Sequence, residues 1–298
     1  MSRIISSSSL AVVLGAGLAS SGQAATVYGL TTRDQLISFD SATPNMVTSA
    51  WFIQGLAANE SLVGIDFRPA TGQLYGVGSF GRIYTINTSN GMATFQASLF
   101  NSANNQALSL SGSEFGVDFN PVPDRLRVTS NLGQNLRINV ATGATILDGT
   151  LNQASGSPFI VASAYTNSFA GATTTTLYNI DSNSDMLTIQ TPPNNGTQVM
   201  VGSLGMDVTA LAGMDILTVG STNTAYAALQ TAGTTGSKFA MINLATGTAT
   251  VIGNISMNQS SDSLAVRDIA VTAVPEPATM TALALGLAAM LRRRRAAK

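Results

Sequence analysis

Between residues 26 and 272 the chain alternates apolar and polar residues in short runs, and polar turns separate one run from the next. The runs are rich in Val, Ile, Tyr, Thr and Phe, and their period of two residues predicts β-strands. The turns contain Thr-Gly, Asn-Gly and Asp-Ser-Asn-Ser, which tolerate positive φ or form Asx turns. We find no convincing amphipathic helix in this region. The pattern therefore predicts an all-β protein.

A short signature, an aspartate followed by an aromatic residue or isoleucine, recurs about every fifty residues. It reads GIDFRP at 64–69 and GVDFNP at 116–121, then AGMDIL at 212–217 and VRDIAV at 266–271. The segment ASAYTN at 162–167 fits the same frame with alanine in place of the aspartate. The aligned positions, spaced by 52, 46, 51 and 53 residues, are Asp66, Asp118, Ala164, Asp215 and Asp268.

Each signature begins a unit of about four short strands, and units of this length and content are typical of β-propeller blades. The segment 26–55 holds three strands of a unit without the first one, whereas 266–271 is a first strand with no others after it. We therefore predict a propeller of about five four-stranded blades, closed by pairing of the N- and C-terminal strands. A β-sandwich or a β-solenoid could also use these strands.

The four repeated aspartates allow two interpretations. In the first, each carboxylate accepts hydrogen bonds from backbone N–H groups of the next blade and so locks two blades together. In the second, the carboxylates form a ring near the central channel and bind a cation such as calcium through their oxygens. Residues that repeat with the fold usually serve the fold, so we favour the scaffold. The residues concerned are Asp66, Asp118, Asp215 and Asp268.

The stretch DSNSD at 181–185 has oxygen-bearing side chains at the first, third and fifth positions of a calcium-loop pattern. The sixth position, usually glycine, is Met186, and the twelfth, usually a bidentate glutamate, is Pro192. The stretch also falls at a predicted hairpin turn. We therefore favour a turn over a calcium site and assign no metal ligands. The residues concerned are Asp181, Asn183 and Asp185.

Two further sets of side chains have a structural and a functional interpretation. Three arginines could meet an anionic sugar, but charged residues that alternate along a strand usually form its solvent-facing side. Three aromatic residues could stack on sugar rings, but aromatic residues in a strand pattern more often pack in a core. The arginines are Arg125, Arg127 and Arg137, and the aromatic residues are Trp51, Phe52 and Tyr75.

Composition narrows the possible chemistry. The 298 residues include no cysteine and no histidine, which removes disulfides, the Ser-His-Asp triad and the usual zinc ligands. No G-x-S-x-G, P-loop or metal-ligand quartet is present in the sequence. Six of the 14 basic and one of the 15 acidic residues lie outside 25–272, so that region carries a net charge of −6. An acidic surface argues against nucleic acid as a partner.

The N-terminal residues have the three-part layout of a secretory signal peptide, which predicts export and processing by signal peptidase. An early positive charge, Arg3, precedes an apolar run over 10–18, and small residues then lead to a cleavage site between Ala24 and Ala25. The predicted organisation is a signal peptide over 1–24, a propeller-like domain over 25–272 and a C-terminal segment over 273–298.

The C-terminal segment combines a Pro-Glu-Pro triplet, fourteen uncharged and mostly apolar residues over 278–291, and four arginines. Fourteen residues make a helix of about 21 Å, shorter than the roughly 20 residues of a comfortable membrane span. The arginines favour the cytoplasmic side and stop export. We therefore predict a short transmembrane helix that presents the triplet to a processing enzyme; a plain tail anchor is the alternative. The residues are Val274, Pro275, Glu276 and Pro277, then Arg292, Arg293, Arg294 and Arg295.

These C-terminal residues resemble the PEP-CTERM sorting signal of Gram-negative bacteria. The resemblance implies recognition and cleavage by an exosortase, a transient stay in the inner membrane, and delivery to the cell surface or extracellular matrix of biofilm-forming, exopolysaccharide-producing bacteria. Residues 26–272 also resemble a bacterial secreted domain family of uncharacterised function. Its pattern of G-x-D-F-x-P, L-Y-x-x and T-G-x-A-T occurs at 64–94 and partly at 116–144. The third and fifth units depart more from this pattern, and the resemblance supports the fold rather than an activity.

The sequence thus predicts a non-enzymatic surface or matrix protein that needs no cofactor and associates with extracellular polysaccharide or takes part in adhesion. The alternative is a secreted hydrolase or lactonase in which the repeated aspartates hold a metal. A third interpretation is a periplasmic protein that stays tethered to the inner membrane. A catalytic ring needs carboxylates around an open cavity, whereas a scaffold ring has its carboxylates bonded to backbone N–H groups.

Overall fold

The computed structural model describes residues 25–260 and 263–273, and nearly all regular structure in this part of the chain is β-strand. The predicted signal peptide, Pro-Glu-Pro motif, transmembrane helix and arginine cluster lie outside the described residues. A single turn of 3-10 helix spans Pro193–Asn195. None of the helical structure described here is long and apolar enough to cross a membrane.

The strands follow in chain order from the N-terminal end. The first group is β1 (Ala25–Thr31), β2 (Gln35–Asp40) and β3 (Ser49–Phe52). The second is β4 (Leu62–Arg68), β5 (Gln73–Gly78), β6 (Arg82–Ile86) and β7 (Ala93–Ser98). The third is β8 (Phe100–Asn101), β9 (Phe115–Asn120), β10 (Arg125–Ser130), β11 (Asn135–Ile138) and β12 (Ala144–Leu147). The fourth is β13 (Asn152–Gln153), β14 (Ile160–Tyr165), β15 (Leu177–Asp181), β16 (Met186–Gln190) and β17 (Thr197–Ser203). The last is β18 (Val208–Val219), β19 (Thr222–Thr231), β20 (Ser237–Ile242), β21 (Ala249–Asn254) and β22 (Val266–Ala273).

These strands form five sheets, each of which is one blade of a propeller. From the inner strand outwards, blade 1 is β22-β1-β2-β3 and blade 2 is β4-β5-β6-β7. Blade 3 is β9-β10-β11-β12 with β8 outside β12, and blade 4 is β14-β15-β16-β17 with β13 outside β17. Blade 5 is β18-β19-β20-β21. The predicted all-β propeller of five four-stranded blades is confirmed.

Blade 1 is built from both ends of the described chain. Strand β1 pairs with β22 in antiparallel fashion, from Ala25 opposite Ala273 to Leu30 opposite Asp268, and then with β2 on its other side. The inner strand of this blade therefore comes from the C-terminal end and the other three from the N-terminal end. The predicted closure of the ring by the two chain ends is confirmed.

Four of the five seams, the contacts between adjacent blades, contain an apolar cluster. Alternate side chains of a strand point to opposite faces, and each face of a blade packs on a neighbouring blade. In β10, for example, Leu126 and Val128 face blade 2, whereas Arg127 and Thr129 face blade 4. Representative members are Leu36 and Ile65 between blades 1 and 2, Val77 and Phe119 between blades 2 and 3, Leu187 and Ile216 between blades 4 and 5, and Phe39 and Phe239 between blades 5 and 1.

After each outer strand, the chain runs beside the outer strand of the next blade. Strand β8 pairs in parallel with β12, β13 with β17, and Gln54 with Met92. Backbone hydrogen bonds from Ala249 N to the Leu204 oxygen, at 3.0 Å, and from Val47 N to the Ser256 oxygen, at 3.3 Å, join the remaining two pairs of blades. Every seam therefore has a backbone link at the rim of the ring.

Glycines in the Thr-Gly turns make room for these links. Gly143 has a φ of +79°, and a Cβ atom there would lie 2.0 Å from the carbonyl oxygen of Ser98 in the preceding blade. Gly247 has a φ of +82°, and its Cβ would lie 2.2 Å from the Gly202 oxygen. The repeated Thr-Gly signal therefore marks two requirements at once, a left-handed turn and close approach of the neighbouring backbone.

Candidate functional site

The four repeated aspartates lie on four inner strands that surround the propeller axis. Asp66 is on β4, Asp118 on β9, Asp215 on β18 and Asp268 on β22, and each is buried. The fifth inner strand, β14, has the buried Ala164 at the corresponding position. The sequence alignment therefore identified one ring of structurally equivalent positions, which we call the axial ring.

Each axial carboxylate accepts a hydrogen bond from the backbone of the next blade in the ring. Asp268 Oδ2 accepts from Ile65 N at 2.9 Å, and Asp66 Oδ2 accepts from Phe119 N at 2.7 Å. Asp118 Oδ1 accepts from Tyr165 N at 3.2 Å. In the same way, Asp215 Oδ2 accepts from Val271 N at 2.5 Å. These bonds link blade 1 to 2, 2 to 3, 3 to 4 and 5 to 1.

Three of these carboxylates also accept a hydrogen bond from their own strand. The N–H of the following residue donates to Oδ1 at 2.6 Å for Asp66, 2.6 Å for Asp215 and 3.0 Å for Asp268. Asp118 accepts the bond from the next blade on Oδ1. Carboxylates bonded in this way match the geometry expected of a scaffold, because both oxygens of three residues already have backbone donors.

The axial ring is interrupted between blades 4 and 5, where Ala164 replaces the aspartate. Ala162 and Ala164 pack there in the apolar cluster that contains Met214 and Ile216 of blade 5. A methyl group has no acceptor for a backbone N–H, so apolar packing, together with the rim link, joins these two blades. The aspartate-free junction is thus a local exception within a regular ring.

The carboxylates of the axial ring lie close enough to repel one another. Oxygen atoms of Asp66, Asp118 and Asp215 are all within 4.8 Å of one another. Burial is the main cause that raises the pKa of each axial aspartate, and neighbouring carboxylates raise it further for Asp66, Asp118 and Asp268. The pKa of Asp215 is raised by burial to about 6. The cluster therefore holds protons more tightly than free aspartates do.

The DSNSD stretch lies in the hairpin between β15 and β16. Asp181 Oδ1 accepts from Asn183 N at 3.0 Å and from Phe159 N at 3.2 Å. Asp185 adopts a φ of +53°, and its Oδ1 accepts from Val208 N at 2.8 Å. These side chains therefore stabilise a tight turn and its contacts with adjacent segments.

Sequence reasoning missed a buried polar seam between blades 3 and 4, and its expectation of a solvent-facing Arg127 is wrong. Arg127 is 1% exposed. Its guanidinium donates to Asp148 Oδ2 at 2.6 Å, to Asn135 Oδ1 at 2.7 Å, and across the seam to Tyr165 Oη at 3.1 Å and Asn194 Oδ1 at 2.9 Å. The buried arginine thus binds both blades.

The polar seam also includes uncharged side chains that run from the inner to the outer strand of blade 4. Thr129 Oγ1 and Ser163 Oγ lie 2.7 Å apart across the seam, and Ser163 donates to Asn179 Oδ1 at 2.7 Å. Asn179 Nδ2 donates to the side-chain oxygens of Gln190 and Gln198, each at 2.9 Å. Polar residues at every second position of strands covered on both faces were the available signal, but the same alternation occurs on solvent-facing strands.

The aromatic candidates separate into buried and exposed residues. Tyr75 is buried and stacks edge-on against Phe119, so core packing is correct for it. Trp51 is 43% exposed and Phe52 is 62% exposed, so core packing is wrong for these two. Both lie on β3, the outer strand of blade 1, and Phe95 on the outer strand of blade 2 is 53% exposed. We call Trp51, Phe52 and Phe95 the rim aromatics.

The fold and its axial ring define the class of protein, a five-bladed β-propeller closed by both chain ends. The chain belongs to the family described as a domain of unknown function, DUF4394, which matches residues 35–270. Residues 273–295 match the PEP-CTERM protein-sorting motif. Both resemblances predicted from the sequence are confirmed, and the chain carries the signal of an exported, exosortase-sorted protein.

Comparison with known proteins supports the fold but no activity. No curated protein matches the chain. A structural-genomics protein of unknown function from Bacteroides thetaiotaomicron has a TM-score of 0.51 at 16% identity, covering 84% of this chain and 65% of that one. A chain of a nidogen/laminin complex has a TM-score of 0.46 at 12% identity, covering 83% and 98%. The chain therefore spans about 65% of the length of the Bacteroides protein, and the 16% identity with that protein indicates the fold alone.

Proposed function

We propose that this protein is an exosortase substrate that works, after sorting, as a non-enzymatic binding protein at the cell surface or in the extracellular matrix. The observation that carries the proposal is the position of the sorting motif. The match to the motif begins at residue 273, which is the last residue of β22. The motif therefore follows directly on the strand that closes the propeller, so that a complete folded domain precedes the processing signal.

The two ends of the domain support a common path of export. Signal peptidase would cleave between Ala24 and Ala25, and Ala25 is the first residue of β1. Ala25 lies opposite Ala273 in the sheet, so both processing sites would adjoin the same end of the paired strands of blade 1. The tail would hold the protein in the inner membrane through its apolar segment until an exosortase cleaves it near 274–277.

Intact mass of the protein recovered from the cell surface or medium tests this proposal. We expect a wild-type product that begins at Ala25 and lacks the residues after roughly 274–278. A variant with Pro275→Ala and Pro277→Ala is expected to stay full-length at its C-terminus and to fractionate with the inner membrane. A wild-type product that still ends at Lys298 would contradict sorting and favour the tethered periplasmic protein.

The rim aromatics suggest a polysaccharide as the ligand. Exposed Trp and Phe rings offer flat apolar faces on which sugar rings stack, and they cost free energy if left in water without a partner. Trp51 on β3 and Phe95 on β7 lie on adjacent blades at the rim, and Phe52 follows Trp51 on the opposite face of β3. Adhesion through extracellular polysaccharide would then require these rings and no catalytic group.

Binding to exopolysaccharide purified from the producing cells tests the ligand. We expect Trp51→Ala combined with Phe52→Ala to lower the affinity at least tenfold. The matched control is Phe169→Ala, which removes an aromatic ring that is 45% exposed on blade 4. Equal affinities for the wild type and both variants would contradict a rim site while leaving the sorting proposal intact.

The alternative function, a hydrolase or lactonase with a metal held by the aspartates, finds less support. The axial carboxylates are buried and accept backbone N–H groups, which leaves few lone pairs directed at a substrate. The close approach of the carboxylate oxygens of Asp66, Asp118 and Asp215 is the one observation in favour of a cation. We expect no ester or lactone hydrolysis with or without added calcium; hydrolysis that needs calcium and is lost in Asp118→Asn would revive the alternative.

A further inference from the structure

Three carboxylates from three different blades meet at the propeller axis. Asp66 of blade 2, Asp118 of blade 3 and Asp215 of blade 5 have oxygens within 4.8 Å of one another, and the side chains are almost fully buried. If all three were ionised, each would face two like charges in a medium that screens poorly. Their mutual repulsion would then act against the contacts that close the ring.

The groups around this trio do not neutralise it. Strand β22 contributes Asp268, a further carboxylate, and Arg267. The charge of Arg267 lowers the pKa of Asp268, and its guanidinium lies 3.8 Å from Glu114 Oε2. Strand β14 contributes Tyr165, whose hydroxyl binds Arg127. Arg127 on β10 lies opposite Asp118 on β9, but its guanidinium binds Asp148, Asn135 and Asn194 instead of Asp118. The trio therefore lacks a cationic partner among the described residues.

We propose that the axial ring is a proton-operated lock: protons shared among the axial aspartates keep the inner strands together, and their release at rising pH loosens the ring. Each carboxylate bridges two blades through a backbone N–H, so repulsion at the axis is transmitted directly to four of the five seams. The lock is independent of the sorting signal and of any ligand at the rim.

The direction of the pH effect follows from the pKa values. Burial raises the pKa of all four axial aspartates in the folded state above the ordinary value of 3.8, to about 6 for Asp215. Neighbouring carboxylates raise the pKa further for Asp66, Asp118 and Asp268. A proton bound more tightly in the folded state stabilises it fully at pH values below the unfolded pKa. This stabilisation is lost as the pH rises through the folded pKa. Stability should therefore fall from acidic to alkaline pH.

Asp118→Asn is the most informative variant, because it removes a charge from the axial ring and can keep the hydrogen bond to the next blade. Asp118 receives its bond from the next blade on Oδ1 alone, and an amide oxygen can accept the same N–H of Tyr165. Asp66, Asp215 and Asp268 each receive backbone N–H bonds on both oxygens, and an asparagine could keep only one of them. Asp40→Asn is the matched control, because it removes one charge at a turn, where the Asp40 oxygen accepts Ala42 N.

The test is denaturant unfolding of the full chain in detergent between pH 5 and 9. For the wild type and Asp40→Asn we expect the folding equilibrium constant to fall above pH 6, by up to about tenfold per pH unit for each proton released. Asp118→Asn should be more stable than the wild type at pH 8 and should show a shallower pH dependence. A wild-type stability that is constant or rises over this range, or an Asp118→Asn variant as steep as the wild type, would overturn the lock.

Infrared spectroscopy of the native wild-type protein provides a readout that needs no variant. We expect the C=O stretch of protonated carboxylic acid at pH 6, and its loss as the pH rises in step with the fall in stability. Fully ionised carboxylates at pH 6 would refute the proposal even if Asp118→Asn failed to fold.

Discussion

The seam between blades 3 and 4 and the seam between blades 4 and 5 share one blade but are held by opposite means. The first has an axial aspartate bond from Asp118 and a buried polar network around Arg127. The second has Ala164 in place of the aspartate and an apolar cluster that includes Leu187 and Ile216. The repeated fold therefore requires a filled seam but does not require a particular chemistry within it.

The two seams differ in how they tolerate change. Hydrogen bonds in a buried network contribute modestly when complete, but removal of one partner leaves the others unsatisfied in a poorly solvating interior. An apolar cluster loses stability in proportion to the atoms removed. The polar seam is therefore specific and brittle, and the apolar seam is adaptable. Substitutions on the two sides of blade 4 test this contrast.

Arg127→Ala should have the largest effect. It removes a buried cation and leaves the buried Asp148 carboxylate with Arg137 as its cationic partner. We expect a loss of about 3–5 kcal/mol in the free energy of unfolding, measured with urea. Arg125→Ala, on the same strand but bonded to local carbonyl oxygens, should cost less than about 0.5 kcal/mol. Equal costs for the two arginines would contradict a brittle polar seam.

Ala164→Asp should give the seam between blades 4 and 5 an axial aspartate like those of the other four seams. It should also show how much stability a further buried carboxylate costs. The new carboxylate would be buried beside Asp118 and Asp215 on neighbouring blades. We expect stability to fall by about 1.4 kcal/mol more per pH unit than in the wild type, because one more proton is released. Ala164→Asn adds the same bulk without the charge and should lower stability equally at every pH. If the stability of Ala164→Asp changed with pH between 5 and 9 in the same way as that of Ala164→Asn, the axial aspartates would not interact.

Ser163→Ala should have a smaller effect on the polar seam. The change removes the hydroxyl shared by Thr129 and Asn179 and leaves both without that partner. We expect a loss of about 1–3 kcal/mol. Ser203→Ala, at an exposed position where the hydroxyl accepts Gly205 N, serves as the control. A cost for Ser163→Ala as small as that of the control would mean that water replaces the hydroxyl and that the seam is less closed than its contacts indicate.

Ile216→Val should have the smallest effect, because it removes one methyl group from the apolar seam. We expect a loss of about 0.5–1.5 kcal/mol, with little dependence on pH. Ile252→Val makes the same change at an exposed position of blade 5 and should be close to neutral. A larger loss than that of Ser163→Ala would reverse the proposed order of the two seams.

The inner strands were predictable because their constraint repeats. An aspartate that must reach the next blade recurs at one position, and four copies reveal the frame even where Ala164 breaks it. The two chain ends were predictable for the same reason, since each supplied the strands that the other lacked. The fold could therefore be predicted from the spacing of one bonded residue type together with the four short strands of the unit that it begins.

The polar seam and the rim links could not be predicted with the same reasoning. Arg127 alternates with apolar residues just as a solvent-facing arginine does, and only the neighbouring blade decides whether it is buried. Strands β8 and β13 have two residues each, too few to show a period. The sequence also located Trp51 and Phe52 in the last strand of a unit, but it could not show how much of each ring the neighbouring blade leaves exposed.

The pairing of β22 with β1 has a mechanical consequence. Ala273 is both the end of β22 and the point where the sorting segment begins, so tension from an anchor enters the domain along that strand. Seven residue pairs, from Ala25–Ala273 to Thr31–Val266, join β22 to β1 with their hydrogen bonds across the pull. Such a load shears the bonds together instead of peeling them one by one.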